Sequence, residues 1–164
     1  MRFTRFLFNT NTPLWRYSLQ VLALSTIPAV VIVTAVRFGM TYSGVNIARI
    51  YPPPTSTSIA GAFSAIIFAP FIETYLLAFL ITILSSFISN KVHIAIISGI
   101  VWGLGHAAFG LLWFFGPAWI FFILTCAYIA WREKSFKHAY FAAFVPHVLN
   151  NALAILAVHL GGNA

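Results

Sequence analysis

Long apolar stretches follow one another along nearly the whole chain, and few charges interrupt them. Hydrophobic residues make up 61% of the sequence and charged residues only 7%, whereas an average soluble domain carries about 25% charged residues. Runs of about 20 apolar residues match the length of a membrane-spanning helix. The sequence therefore predicts an all-α integral membrane protein that folds as one helical bundle, spanning residues 1–164, without a separate soluble domain.

Five apolar runs set the number of membrane crossings. They cover residues 19–36, 59–88, 92–112, a stretch that follows a predicted turn at Gly116-Pro117 and ends at Trp131, and 139–160. The run 59–88 contains Pro70 and is too long for one straight span, so we expect either a kinked helix or two crossings. The prediction is thus five to six transmembrane helices.

The basic residues indicate how the chain is oriented. The net charge of +7 is scattered among hydrophobic segments and forms no patch with interleaved aromatic residues, so we expect no nucleic-acid partner. With five spans, the N-terminus and two loops lie on one side and hold most of the Lys and Arg: Arg2, Arg5, Arg16, Lys91, Arg132, Lys134 and Lys137. Arg37 and Arg49 lie on the other side. The positive-inside rule then predicts a cytoplasmic N-terminus. A small helical bundle without a soluble domain also favours the plasma membrane of a bacterium or archaeon as the location.

Four polar side chains lie within the apolar runs, away from their predicted ends: Glu73, His106, His147 and Asn151. A polar side chain at membrane depth costs a few kcal/mol unless it is paired or faces water, so each is a candidate functional residue. His147 and Asn151 are four residues apart and share one helix face. The lone Cys126 excludes a disulfide framework and a cysteine metal cluster.

Small residues and prolines accompany these polar positions. Gly99, Gly103 and Gly110 fall on the same helix face as His106, so we expect a neighbouring helix to approach closely and His106 to face protein. Pro70 and Pro146 lie shortly before Glu73 and His147. Each removes one backbone hydrogen bond of its helix. Such a break is tolerated at membrane depth only where protein or a wet cavity satisfies the freed carbonyl.

The polar residues resemble the motifs of the CAAX prenyl protease and bacteriocin-processing family (CPBP, also called ABI) of intramembrane glutamic endopeptidases. That family has E-E-x-x-x-R, F-x-x-x-H and H-x-x-x-N/D in order on separate helices. Here the second motif is Trp102-Gly-Leu-Gly-His106 and the third is His147-Val-Leu-Asn-Asn151. The first motif keeps Glu73, but Thr74 replaces its second glutamate and Ala78 its arginine.

The resemblance implies a catalytic core in residues 59–164, after an N-terminal span and loop in residues 1–58. It implies a peptidase in which Glu73 is the general base, His106 its partner, and His147 with Asn151 an oxyanion hole, acting on a membrane-associated or lipid-modified polypeptide without a cofactor. The residues leave other interpretations open. Glu73, His106 and His147 also make a His2Glu zinc set. A proton-relay or transport subunit, or a non-catalytic immunity or assembly partner, are the alternative functions, and the sequence does not address the oligomeric state.

Overall fold

The computed structural model describes residues 7–47, 50 and 58–161, and these contain five long helices and no strand. Helix α1 is Leu14–Tyr42, α3 is Lys91–Ala107, α4 is Phe115–Arg132 and α5 is Phe136–Gly161. Helix α2 is continuous over Ile59–Phe87 and contains a π-helical segment, Ser64–Phe68. A 3₁₀ helix, Leu111–Phe114, leads into α4. The predicted all-α helical bundle is confirmed.

The helices have the length and composition of membrane spans. Four helical stretches, namely α1, α2, the 3₁₀ helix joined to α4, and α5, are long and apolar enough to cross a bilayer. Helix α3 has 17 residues and is correspondingly shorter. Because the long run 59–88 forms one helix and does not turn back, the described chain has five helices and not six. The chain is therefore a multi-pass membrane protein.

Polar residues just before the first turn determine where three of the helices begin. The Asn90 side chain accepts hydrogen bonds from the backbone N–H groups of Val92 and His93 at the start of α3. Ser58 accepts from Gly61 at the start of α2, and Ser135 accepts from the N–H of His138 at the start of α5. Each cap satisfies N–H groups that have no partner inside the helix.

The start of α1 and the loops α2–α3 and α4–α5 lie at one end of the bundle, which we call the basic end. Lys91 pairs with Glu133 there, and Lys134 donates to the backbone carbonyl of Thr10. The Lys91 ammonium, by its hydrogen bond and charge, lowers the pKa of the Glu133 carboxyl below its ordinary value. The described basic residues of this end are Arg16, Lys91, Arg132, Lys134 and Lys137. Arg2, Arg5, Arg49 and the prolines at 52–54 lie outside the described residues.

Two helix ends differ from the sequence expectation. Helix α1 continues beyond Arg37 to Tyr42, because one arginine does not stop a helix, and the chain leaves the helix at Gly44, which has a φ of 75°. Helix α3 ends at Ala107, before the predicted end at 112, because the chain turns at Ala108–Gly110 and continues as the 3₁₀ helix. His106 consequently lies in the last turn of α3 and Gly110 lies outside the helix.

The turn predicted at Gly116-Pro117 is wrong. Both residues lie in the first turn of α4, where a proline is tolerated because its missing N–H would have no partner inside the helix.

Helix α4 occupies the centre of the bundle. Buried residues make up 56% of the most apolar window of its span, but only 17% of that window in α1 and 28% in α2 and α5. The large apolar side chains of the outer helices are exposed, as expected for a surface that faces lipid. Because α4 contacts every other helix, it determines how deep the polar side chains lie relative to one another.

Glycines allow α3 to pack closely on α4. A Cβ added at Gly99 would lie 2.5 Å from the Ala118 carbonyl oxygen, and one at Gly103 would lie 2.8 Å from the Ala118 Cβ. These distances are shorter than van der Waals contact, so only glycine fits at both positions. The predicted small-residue face is confirmed for Gly99 and Gly103, and His106 faces protein, as expected.

We predict that Gly99→Ala destabilises the protein by about 1–3 kcal/mol, the usual cost of overpacking, because the obstructing atom is a backbone oxygen that cannot rotate away. Thermal unfolding in detergent, followed by thiol labelling of the buried Cys126, measures this change. Gly105→Ala is the matched control, since it lies on the same helix and its added Cβ meets nothing within 4 Å. Equal unfolding temperatures for the two variants would contradict the close packing.

Candidate functional site

Glu73 and His147 are in polar contact between α2 and α5. The Glu73 Oε2 atom lies 3.3 Å from His147 Nε2. The His147 side chain is 4% exposed, whereas that of Glu73 is 25% exposed. By position along their helices, both lie about 16–21 Å from the basic end, near the middle of a hydrocarbon core about 30 Å thick. The structure thus combines an almost fully buried imidazole with a carboxylate that keeps a quarter of its side-chain surface exposed.

The second polar residue on the same face of α5, Asn151, also contacts α2. Its Nδ2 atom donates a hydrogen bond to the backbone carbonyl of Ala65, at 2.8 Å. This confirms that His147 and Asn151 project from one face toward the same helix. Asn151 meets that helix about two turns before Glu73, however, and one of its two amide N–H groups is engaged there.

The π-helical segment and Pro70 explain why the Ala65 carbonyl needs a partner. In an α-helix the N–H of Ala69 would donate to Ala65, but here it donates to Ser64. In a π-helix the donor would be residue 70, which is proline and has no N–H. The sequence predicted a carbonyl freed by Pro70. The structure identifies it as that of Ala65, one residue earlier than α-helical geometry implies, and the protein satisfies it through Asn151.

His106 belongs to an aromatic cluster next to this pair. Its Nδ1 lies 2.8 Å from the Trp102 carbonyl oxygen, and because a carbonyl only accepts, Nδ1 carries the hydrogen and the neutral ring keeps an accepting lone pair at Nε2. The centroid of the Phe121 ring lies 5.8 Å from the His106 ring and 5.0 Å from the His147 ring. No hydrogen bond or ion pair joins His106 to Glu73 among the contacts of the described residues, so the partner of Glu73 in this structure is His147.

The three residues of the zinc alternative are only partly brought together. Glu73 and His147 are in contact, but no group of three His, Cys, Asp or Glu side chains in the described parts of the chain has a metal-holding geometry. A catalytic zinc needs three protein ligands and an open position. The geometry therefore offers two candidate ligands, and His106 would have to move to complete the set.

Two positions where the family motif has charged residues are buried beside Glu73. The Thr74 hydroxyl is buried without a hydrogen-bond partner, and Ala78 is 6% exposed within the core. Thr74 follows Glu73 directly in the chain, but its side chain is buried and makes no hydrogen bond to the carboxylate. The neighbouring Tyr75 instead packs on Tyr140, with 4.6 Å between their ring centroids.

Sequence reasoning missed Asn150, which links α5 to α1. Its side chain accepts from the Thr26 hydroxyl at 2.6 Å and donates to the Ser25 hydroxyl at 2.9 Å, and it is 6% exposed. A sequence signal was present, because Ser25 and Thr26 interrupt the first apolar run just before Pro28. Asn150 and Asn151, adjacent in sequence, thus attach α5 to two different helices.

Comparison with known proteins does not extend the family resemblance. A scan with protein-family models, a search among curated proteins and a search among solved structures each returned no match. The fold and site define a multi-pass helical membrane protein with a carboxylate–imidazole pair in its interior. Assignment to a family rests on the three motifs alone.

We predict that the stability contributed by Asn151 depends on Pro70. Asn151→Ala leaves the Ala65 carbonyl unsatisfied and costs about 1–3 kcal/mol. In a Pro70→Ala background, residue 70 regains an N–H that can serve this carbonyl, so the cost of Asn151→Ala falls by about 1 kcal/mol or more. A double-mutant cycle of unfolding free energies measures the coupling.

Asn150→Ala provides the control for this cycle. It removes a neighbouring amide of equal size whose bonds go to α1, so its cost is the same with Pro70 or Ala at position 70. If Asn151→Ala also costs the same in both backgrounds, the Ala65 carbonyl does not depend on the Asn151 amide.

Proposed function

We propose that the protein is an intramembrane endopeptidase that hydrolyses a peptide bond in a membrane-associated or lipid-modified polypeptide. The observation that carries the proposal is the 3.3 Å contact between the Glu73 carboxylate and His147 Nε2 at mid-membrane depth. Glu73 is one of only two acidic residues in the chain, and its partner is a histidine of a matching family motif. A carboxylate that is held in place by a hydrogen-bond donor can act as the general base that activates water in hydrolysis.

The proposed reaction uses Glu73 as the general base. The carboxylate takes a proton from a water molecule while the water oxygen attacks the carbonyl carbon of the scissile bond, giving a tetrahedral oxyanion. The C–N bond then breaks as Glu73 returns the proton to the leaving amine. His147 Nε2 donates to Oε2, which orients the carboxylate and leaves Oε1 for the water.

His106 and Asn151 have supporting parts in this proposal. The Nε2 lone pair of His106 is the second proton acceptor of the region, as the family's partner histidine would be. Asn151 keeps one N–H beyond the bond to Ala65, and this N–H is the donor offered to the oxyanion. One such donor contributes about 3–4 kcal/mol to transition-state stabilisation in other hydrolases.

We predict that Glu73→Gln lowers cleavage at least 100-fold, because an amide cannot accept the proton from water. Candidate substrates are identified by comparing membrane peptidomes of cells with and without the gene, and cleavage is then measured with purified protein in detergent. His147→Ala lowers cleavage as well, since the carboxylate loses its orienting donor.

Glu133→Gln is the matched control because it neutralises the only other acidic residue in the chain, at the exposed basic end. It leaves cleavage unchanged. Retention of cleavage by Glu73→Gln refutes the proposed mechanism, and loss of cleavage on chelation with EDTA favours the zinc alternative.

We further propose that the protein lies in the plasma membrane of a bacterium or archaeon with its basic end in the cytoplasm. The support is the set of described basic residues at that end, to which the positive-inside rule applies. Because α2 is one continuous helix, the exposed Ser89 and the exposed Val45 lie on opposite sides of the membrane.

The predicted orientation is tested with Ser89→Cys and Val45→Cys in intact cells. An impermeant maleimide labels Val45→Cys and does not reach Ser89→Cys until the cells are opened. The native Cys126 is buried and does not react under these conditions. Labelling of both sites from outside contradicts the single crossing of α2, and the reverse pattern contradicts the cytoplasmic basic end.

A non-catalytic membrane partner, such as an immunity or assembly factor, is the second candidate. It is supported by the engaged Asn151 amide and by the uncharged residues Thr74 and Ala78 at motif positions. If this candidate is right, a copy of the gene that carries Glu73→Gln complements a deletion of the gene as well as the natural sequence does.

A further inference from the structure

A groove between α1 and α5 opens near the basic end, on the side of α5 that does not carry the Glu73–His147 contact. It has a volume of about 550 Å³ and almost entirely apolar walls. Phe141, Val145 and Leu149 form the wall on α5, and the wall on α1 includes Trp15 and Leu19. On α5 the groove runs for about 12 Å along the helix axis.

Each wall of the groove has a basic residue next to it at the basic end. Phe141, Val145 and Leu149 recur every four residues and form one stripe on α5, and Lys137 occupies the preceding position of that stripe. Lys137 is exposed at the basic end. On the opposite wall, the Arg16 guanidinium lies 5.0 Å from the centroid of the Trp15 ring.

No acidic side chain neutralises the positive charge of Lys137 and Arg16 at the basic end of the groove, which we call its mouth. Of the two acidic residues in the chain, Glu133 pairs with Lys91 and Glu73 lies in the interior. The groove therefore combines an apolar channel parallel to the helices with two cations at the level of the membrane surface. An anionic phospholipid has the matching layout, since its acyl chain runs along the membrane normal and its charged headgroup lies at the surface.

We propose that the groove between α1 and α5 binds an anionic phospholipid, with one acyl chain against Phe141, Val145 and Leu149 and the headgroup phosphate beside Lys137 and Arg16. This site is independent of the peptidase proposal. A basic residue near the membrane surface contributes about fivefold to the affinity for an anionic lipid. Neutral lipids of the same chain length also contact the apolar walls, but the basic residues at the mouth add nothing to their affinity.

The test uses the purified full-length protein in detergent, mixed with equal amounts of phosphatidylglycerol and phosphatidylcholine that carry identical acyl chains. Native mass spectrometry counts the lipids that remain bound. The natural sequence retains one phosphatidylglycerol in preference to phosphatidylcholine. Lys137→Gln lowers that preference about fivefold, and Lys137→Arg restores it. Lys137 is exposed, so these variants leave the packed interior unchanged.

Filling the groove tests the apolar half of the site. Val145→Trp places a large ring in the channel and removes the bound lipid, whereas the control Phe79→Trp, at an exposed position of α2 outside the groove, retains it. An unchanged preference in Lys137→Gln overturns the proposal. So does the appearance of a dimer that Val145→Trp abolishes, because the groove then holds a second copy of the chain.

Discussion

Backbone hydrogen bonding without water is the constraint on which the structure depends. At membrane depth each N–H and C=O must find a partner within the protein, which is why the described chain forms long helices and why each departure from helical geometry needs a specific side chain. The π-helical segment of α2 is such a departure. It leaves the Ala65 carbonyl without a backbone donor, and Asn151 supplies one. This bond and the one that the Tyr140 hydroxyl donates to the Phe71 carbonyl both join α5 to α2, and Glu73 meets His147 between these helices.

Packing against α4 positions the other helices of the bundle relative to one another. The absence of side chains at Gly99 and Gly103 lets α3 lie against Ala118 and brings the His106 ring to the Phe121 ring. The same Phe121 ring meets His147 from α5. The relative depth of the two imidazoles thus follows from backbone contact between α3 and α4, and no direct bond between the histidines is required.

Much of this architecture follows from the sequence, because its signals are local. Apolar run lengths predicted the all-α bundle, the four-residue spacing predicted that His147 and Asn151 share a face, and the glycine spacing predicted the close approach of α3. What depends on the register between helices was not predictable. The partner of Glu73, the bond from Asn151 to Ala65 and the role of Asn150 require knowing which turn of one helix lies beside which turn of another. The early end of α3, which places His106 in its last turn, depends on the turn at Ala108–Gly110.

The bond from Asn151 to Ala65 also bears on how the proposed site works. A carboxamide has two N–H donors, and engaging one of them restricts rotation of the side chain without consuming the other. A donor that is held in place before the reaction stabilises a developing oxyanion more than a mobile donor, because no reorganisation is needed when charge forms. In the proposed peptidase the π-helical segment and Pro70 are therefore parts of the site, since they create the carbonyl that holds Asn151. A straight α-helix through residues 64–70 with alanine in place of Pro70 would satisfy its own backbone and leave the Asn151 amide free to rotate.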